Sequence, residues 1–585
     1  MGEFVGIDPG GAEQLVRLMA TGKNVLGRTR PGLEEAIAEA GASWTGQQGV
    51  AAMHRSWAFF DDTQRDLKWR VDTLKQMVPS SGNGLLGGSF TFNSETEAAR
   101  QGKADGQAIA EALRRHEIEN SPDSWRSVTA ATTATKGKLG DPAYSAALLA
   151  DIGPDKFRAL FIQWMKKGRH ATDKGLSPEL LRQGRETLGP LAEAYANAER
   201  AGRLGEEWRE KFMEKTPPGV LTALVAMSKP SPRLLNQVAM RVLGRPLNAD
   251  LPTSENWNLN ILLDAYEADP QALQTLLAEN KDAAGWLLHP QRVRMSGIRG
   301  LEEKLAGVLD KALKPGAGDA RVRERVWLNI ISGMGAANSP WGGGRWGTFH
   351  DSPVSRALAK NVAPYLDELA RGQAKRDNPD LKAVHPRPPW DDLDAEAASR
   401  FIGVLMQDKD AAKTLLKAAQ HYTSTLDIGR FRPFGDEKIQ DEYTKREALA
   451  GAAANLLLSG SAYAEWSDDE YADFVATVVT LPIDWLSNKF WPIQSATAAT
   501  ARDAGLDASK DSIKESIKNY LDGKTTNTPS TLADELVKKL AAWVNESLEE
   551  HNQKELTDSQ RNQTEMALRG RLYDALEKAL EARGG

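Results

Sequence analysis

Residues 50–78 read VAAMHRSWAFFDDTQRDLKWRVDTLKQMV, and their spacing decides the fold. Val50, Trp57, Val71 and Val78 fall on one seven-residue beat, and Met53, Phe60, Leu67 and Leu74 fall on the other. Only Gln64 breaks this seam, so the stretch predicts a helix with one face buried against a neighbouring helix. Trp57 is expected to face this seam, and Trp69, twelve residues later, to face away from it. Upstream, Leu15, Met19, Leu26, Leu33, Ile37 and Ala40 answer with a second stripe, widened by Leu18 and Val25. A stripe that wide suits a helix with more than one neighbour. Asp8-Pro9 opens it, an acceptor for free amides followed by a residue whose missing N–H costs nothing there. Pro31 lies inside it and removes a ladder bond, so a kink is expected. Residues 9–78 are therefore read as a helical hairpin turning at Trp44-Thr45-Gly46.

The hairpin resembles the WXG superfamily of type VII secretion substrates, whose small helical hairpins carry Trp-x-Gly in the turn. Trp44, Thr45 and Gly46 supply that tripeptide between two helices of about thirty residues. The resemblance covers residues 1–80. Members of the superfamily are similar to one another in a Tyr-x-x-x-Asp/Glu signal, usually just past the hairpin. No tyrosine lies between Val78 and Gly140, but the pattern occurs at Tyr195…Glu199, Tyr443…Glu447 and Tyr573…Glu577. Tyr573 and Glu577, on the last helix, are taken as the export signal that the resemblance implies.

With 585 residues the chain has room for several domains with buried cores. It has no cysteine, which excludes disulfides, thiol nucleophiles and thiolate metal sites. A net charge of −6 with interspersed signs gives no global attraction to nucleic acid. The N-terminus lacks a basic start and an apolar stretch, so no secretory signal peptide is read. The resemblance implies a secreted or cell-surface protein using another route; a cytoplasmic protein would look the same at this end.

Nearly every periodic segment is helical. Asp141-Pro142, Ser177-Pro178, Ser231-Pro232, Asp269-Pro270 and Ser352-Pro353 each precede an apolar run and read as helix starts. Ser89-Phe90-Thr91-Phe92 is the only strand candidate. Gly-, Pro- and polar-rich stretches at 79–93, 332–353, 371–392, 427–440 and 523–531 read as loops or boundaries. The fold class is thus all-α: an N-terminal antiparallel hairpin (1–80), a middle helical block (81–340) and a C-terminal helical block (391–585). Asp, Ala, Thr, Leu and Leu recur from Asp269–Leu277 to Asp408–Leu416, a spacing that capped helices with a buried Leu-Leu explain. Asp-Pro helix starts and turns such as Gly153-Pro154 are similar in style to long actinobacterial proteins with WXG-like N-termini.

Catalytic patterns are missing. Gly82–Gly87 fits G-x-G-x-x-G but follows a helix, and reads as a flexible loop. The glycines of Trp341–Gly347 lack the Lys-Ser/Thr of a phosphate loop; Trp341, Trp346 and His350 there could form an aromatic platform or fold back on a core edge. The histidines are scattered, with no His-Glu-x-x-His and no i, i+4 pair. No Gly-x-Ser-x-Gly elbow occurs. No catalytic, cofactor-binding or metal-binding residue is assigned, and no cofactor is expected. Ala448–Leu486 contains a 17-residue run without charge, which suits a buried core helix or, in a second reading, a bilayer-entering hairpin.

Two function classes stand. The first is a non-enzymatic, type VII secretion-associated protein whose hairpin docks a protein partner, either another hairpin or the secretion apparatus, through Leu18 and Val25. Its body would then act outside the cell or carry a toxin. The second is a toxin itself, acting on membranes through 448–486 or through an enzymatic site with no visible motif.

Overall fold

The computed structural model describes residues 4–40, 47–77, 86–89, 91–168, 178–244, 253–289, 298–335, 351–426, 437–461, 466–490, 496–552 and 557–584. The chain is all-α, apart from one short ribbon among the described residues. It divides into two compact units, 1–242 with 252–265, and 243–251 with 266–585. The division passes through the helix Thr253–Ala268 and not through the glycine- and proline-rich stretches at 332–353 or 371–392. Composition marks where a chain can bend; which helices share a core sets the units.

The first unit begins with β1 (Phe4–Ile7), α1 (Pro9–Ala40) and α2 (Gln47–Met77). Asp8 accepts from the Gly10 and Gly11 amides at 3.2 and 3.0 Å, capping α1 as its sequence predicts. α1 runs unbroken through Pro31. β2 (Leu86–Ser89) pairs antiparallel with β1, Phe4 opposite Ser89 and Ile7 opposite Leu86. The strand expected at Ser89–Phe92 thus lies a few residues earlier, and Gly87, expected in a flexible loop, is held in the ladder. A distant partner strand made that ribbon, and no local alternation announces it.

Next come α3 (Glu95–Glu119), α4 (Pro122–Thr133) and α5 (Pro142–Ile152). α3 and α5 cross at backbone contact: a methyl group on Gly102 would meet the Tyr144 carbonyl, and one on Gly106 the Leu148 carbonyl. Only glycine permits so close an approach. Further along, Phe157, Tyr195, Trp208 and Phe212 form an aromatic core with ring centroids 5.2–5.9 Å apart. All five Ser/Asp-Pro signals open helices, with proline as the first helical residue each time.

The second unit is built round the helix Glu437–Ser461, whose residues from Leu449 to Leu458 are almost all buried. The helices Leu366–Asp377, Ala395–Met406, Asp468–Phe490 and Asp558–Gly584 pack on it. Asp408, 1% exposed, caps the helix Lys409–Thr425 through the Asp410 and Ala411 amides. Its second oxygen accepts from the Ser352 amide and from Arg356, at 2.8 and 2.9 Å. A buried carboxylate with four donors is compensated for its lost water.

Candidate docking surface

α1 and α2 run antiparallel: Lys23 pairs with Asp61 at 2.8 Å, and His54 lies 3.5 Å from Glu34. Gly22 faces Phe60, and Gly27 faces the Trp57 indole. The hydrogen bond from Lys23 holds the Asp61 carboxyl below its usual range, although burial opposes this. Of the seam positions, Val50, Met53, Phe60 and Leu67 are half-buried and Val71 and Leu74 are buried. Yet Trp57 keeps 40% of its surface in water, whereas Trp69 is fully buried. Trp57 does face α1, beside Gly27, but it is only partly covered there. Trp69 does face away from the α1 seam, but it faces the body of its unit.

There the Trp69 indole N–H donates to Asp141 Oδ2 at 2.8 Å. Asp141 Oδ1 accepts from the Ala143 and Tyr144 amides, capping α5. Burial pushes the Asp141 carboxyl above its ordinary range, against the pull of those hydrogen bonds and of Arg203. Arg203 itself pairs with Glu95 and approaches Asp72 of α2 at 4.0 Å. Val71, Thr73 and Leu74 are buried beside this contact. The hairpin is thus seated by its base. Asp141 was legible as a helix cap; that its other oxygen would hold Trp69 was not, because 72 residues separate them.

Away from the base the hairpin is open. Leu15, Leu18 and Val25 of α1 are 48%, 61% and 55% exposed, and Phe59 of α2 is 63% exposed. The structure thus brings Leu18 and Val25 together on one uncovered face. Exposed aliphatic side chains grouped in this way mark interaction surfaces more often than isolated ones do.

The remaining sequence-derived sites fare differently. Trp44, Thr45 and Gly46 lie outside the described residues, as do Trp341, Trp346 and His350. Tyr573 and Glu577, taken as the export signal, are both half-buried. The Tyr573 hydroxyl lies 2.5 Å from Ser530 Oγ, and the Arg569 guanidinium sits 5.3 Å from its ring centre. Tyr195 and Glu199 are buried in the first unit. Ala448–Ser461 belongs to the central helix of the second unit, and among the described residues no helix is long and apolar enough to cross a membrane. Among the described residues no cluster of three or more His, Asp or Glu side chains is arranged to hold a metal ion. No family model matches this chain, and no curated protein or solved structure is similar to it.

Proposed function

We propose that this chain is a non-enzymatic helical protein of the type VII secretion kind, in which the N-terminal hairpin docks a helical protein partner. The observation that carries this is the exposure of Leu15, Leu18 and Val25 on a helix whose neighbouring face already meets α2. A helix with two apolar faces and one neighbour has a free face. The base, fixed by Trp69 on Asp141, holds that face outward from its unit. In this reading the protein is exported or displayed at the cell surface, the helical body is what the hairpin delivers, and Tyr573 with Glu577 contributes the export signal.

Export is the test. In a host with a type VII apparatus, the intact chain should accumulate in the culture filtrate. Leu18→Glu with Val25→Glu should keep it in the cell while circular dichroism shows an unchanged helical fold. Glu577→Gln should lower export with the Tyr573–Ser530 contact left in place. Export indifferent to all three substitutions, or no export of the intact chain, overturns the reading.

A further inference from the structure

The last two helices of the second unit, Pro529–Asn552 and Asp558–Gly584, run antiparallel. Tyr573 meets Ser530, Arg569 pairs with Asp534, and Arg561 pairs with Glu549 at 2.6 Å. On one side they part to leave a cleft of about 400 Å³. Ala541 and Ala542 line it on the first of the two helices, and side chains that short leave the space between the helices unfilled.

Asn545 lines the same cleft. It is 8% exposed, and its side-chain oxygen is buried with no hydrogen-bond partner. Native proteins almost always give a buried amide oxygen a donor, because leaving one unmatched costs stability. Asn545 is therefore an acceptor suited to an N–H or O–H brought from outside the chain.

The charges select which donor. Lys538 is engaged by Asp534 at 2.8 Å and Arg561 by Glu549, so both cations at the cleft are neutralised from within the chain. Glu546, exposed, and Glu565, half-buried, line it as well, and among the described residues neither enters an ion pair. Two negative charges and one unmatched acceptor complement an organic cation that carries N–H groups. A metal ion suits the cleft less, since no cluster of carboxylates among the described residues is arranged to hold one. Beside the hydrogen bond to Asp534, the nearby Glu565 charge holds the Lys538 ammonium above its ordinary pKa, which places Glu565 at the Lys538 end. Glu546 lies eight residues beyond Lys538, about 12 Å along the helix. A linear chain with an ammonium at each end spans that distance, and its methylenes can lie over Ala541 and Ala542.

We propose that this cleft binds a linear polyamine of about the length of spermidine, with its ammoniums on Glu546 and Glu565 and one N–H on the Asn545 oxygen. Binding there requires neither the hairpin face nor export.

Calorimetric titration of the full chain with spermidine at low ionic strength tests it. One equivalent should bind, and 1,4-diaminobutane, too short to reach both carboxylates, should bind about tenfold more weakly. Glu546→Gln and Glu565→Gln should each weaken spermidine binding by about tenfold. Glu546 is exposed, so its variant keeps the fold. Asn545→Leu separates a ligand contact from a packing role. Removing the unmatched oxygen should leave the melting temperature equal or higher, while spermidine binds about fivefold or more weakly. No binding up to about 10 mM spermidine, or binding unchanged by Glu546→Gln and Asn545→Leu, overturns the proposal. So does a tetralysine peptide that binds more tightly than spermidine, since the cleft would then be reading the side chains of a protein. Magnesium ion that competes with spermidine on equal terms overturns it too, because simple charge would then explain the binding.

Discussion

Replacing Trp69 should loosen the hairpin from its unit more than any other single change in residues 9–77. A buried tryptophan withdraws roughly 200 Å² from water, which at about 25 cal/mol per Å² sets an upper limit near 5 kcal/mol. Trp69 is fully buried, so Trp69→Ala should cost about 3–5 kcal/mol. Part of that loss is polar, since Asp141 Oδ2 keeps its burial and loses its donor. Trp69→Phe isolates that part and should cost about 1–3 kcal/mol. Trp57, with 40% of its surface still in water, should cost only about 2–3 kcal/mol as alanine. Hydrogen exchange resolved by peptide suits the comparison, because two compact units need not unfold together. Trp69→Ala should speed exchange in α2 and at the start of α5, whereas Trp57→Ala should speed it only in the hairpin. A larger effect at Trp57, or an α5 indifferent to Trp69, would show that the base contact does not hold the hairpin.

Further outcomes follow from single contacts. Gly102→Ala should destabilise the first unit by about 1–3 kcal/mol, since its methyl group would meet the Tyr144 carbonyl. By contrast, Gly307→Ala, exposed within a helix and facing nothing, should stabilise by about 1 kcal/mol; thermal melts of the two variants distinguish the cases. Asp408→Ala should cost about 3 kcal/mol or more, because one change removes a helix cap and the partner of Ser352 and Arg356; urea melts followed by circular dichroism would register it. Acid should act on Asp105 and Asp141 with opposite sign. Burial raises the Asp105 carboxyl, but hydrogen bonds from Lys138, Tyr144 and Gln101 outweigh it and hold it below 3.8. Its contribution is present above 3.8 and is lost as pH falls through the folded value, so Asp105→Asn should flatten the stability–pH curve below about pH 4. Asp141 is raised, so the folded form takes up its proton first and gains as pH falls toward 3.8; Asp141→Asn should remove that gain in melts taken as pH is lowered to about 4.

The sequence by itself determined the helices and their beginnings. The beat from Val50 to Leu74 places the seam of α2, and a serine or aspartate before proline opens helix after helix, as at Asp8, Asp141 and Ser352. Such signals act within one or two turns, between residues that are neighbours along the chain whatever the fold becomes. Leu18 and Val25 were legible as surplus to one antiparallel contact for the same reason, and they do remain exposed. What the tertiary structure decided was the use of each face. Trp57 and Trp69 are the same residue type on one helix, and only Trp69 is buried, its indole N–H on Asp141. The helix period alone leaves Tyr573 open to solvent, and the fold sets its hydroxyl against Ser530, 43 residues away. The charge-free run after Ala448 became a core helix because other helices surround it. The β1–β2 ribbon formed because residues about eighty positions apart were brought together. A helix's period states which side chains share a face, but burial of that face depends on elements far along the chain, and its free energy exists only once they meet.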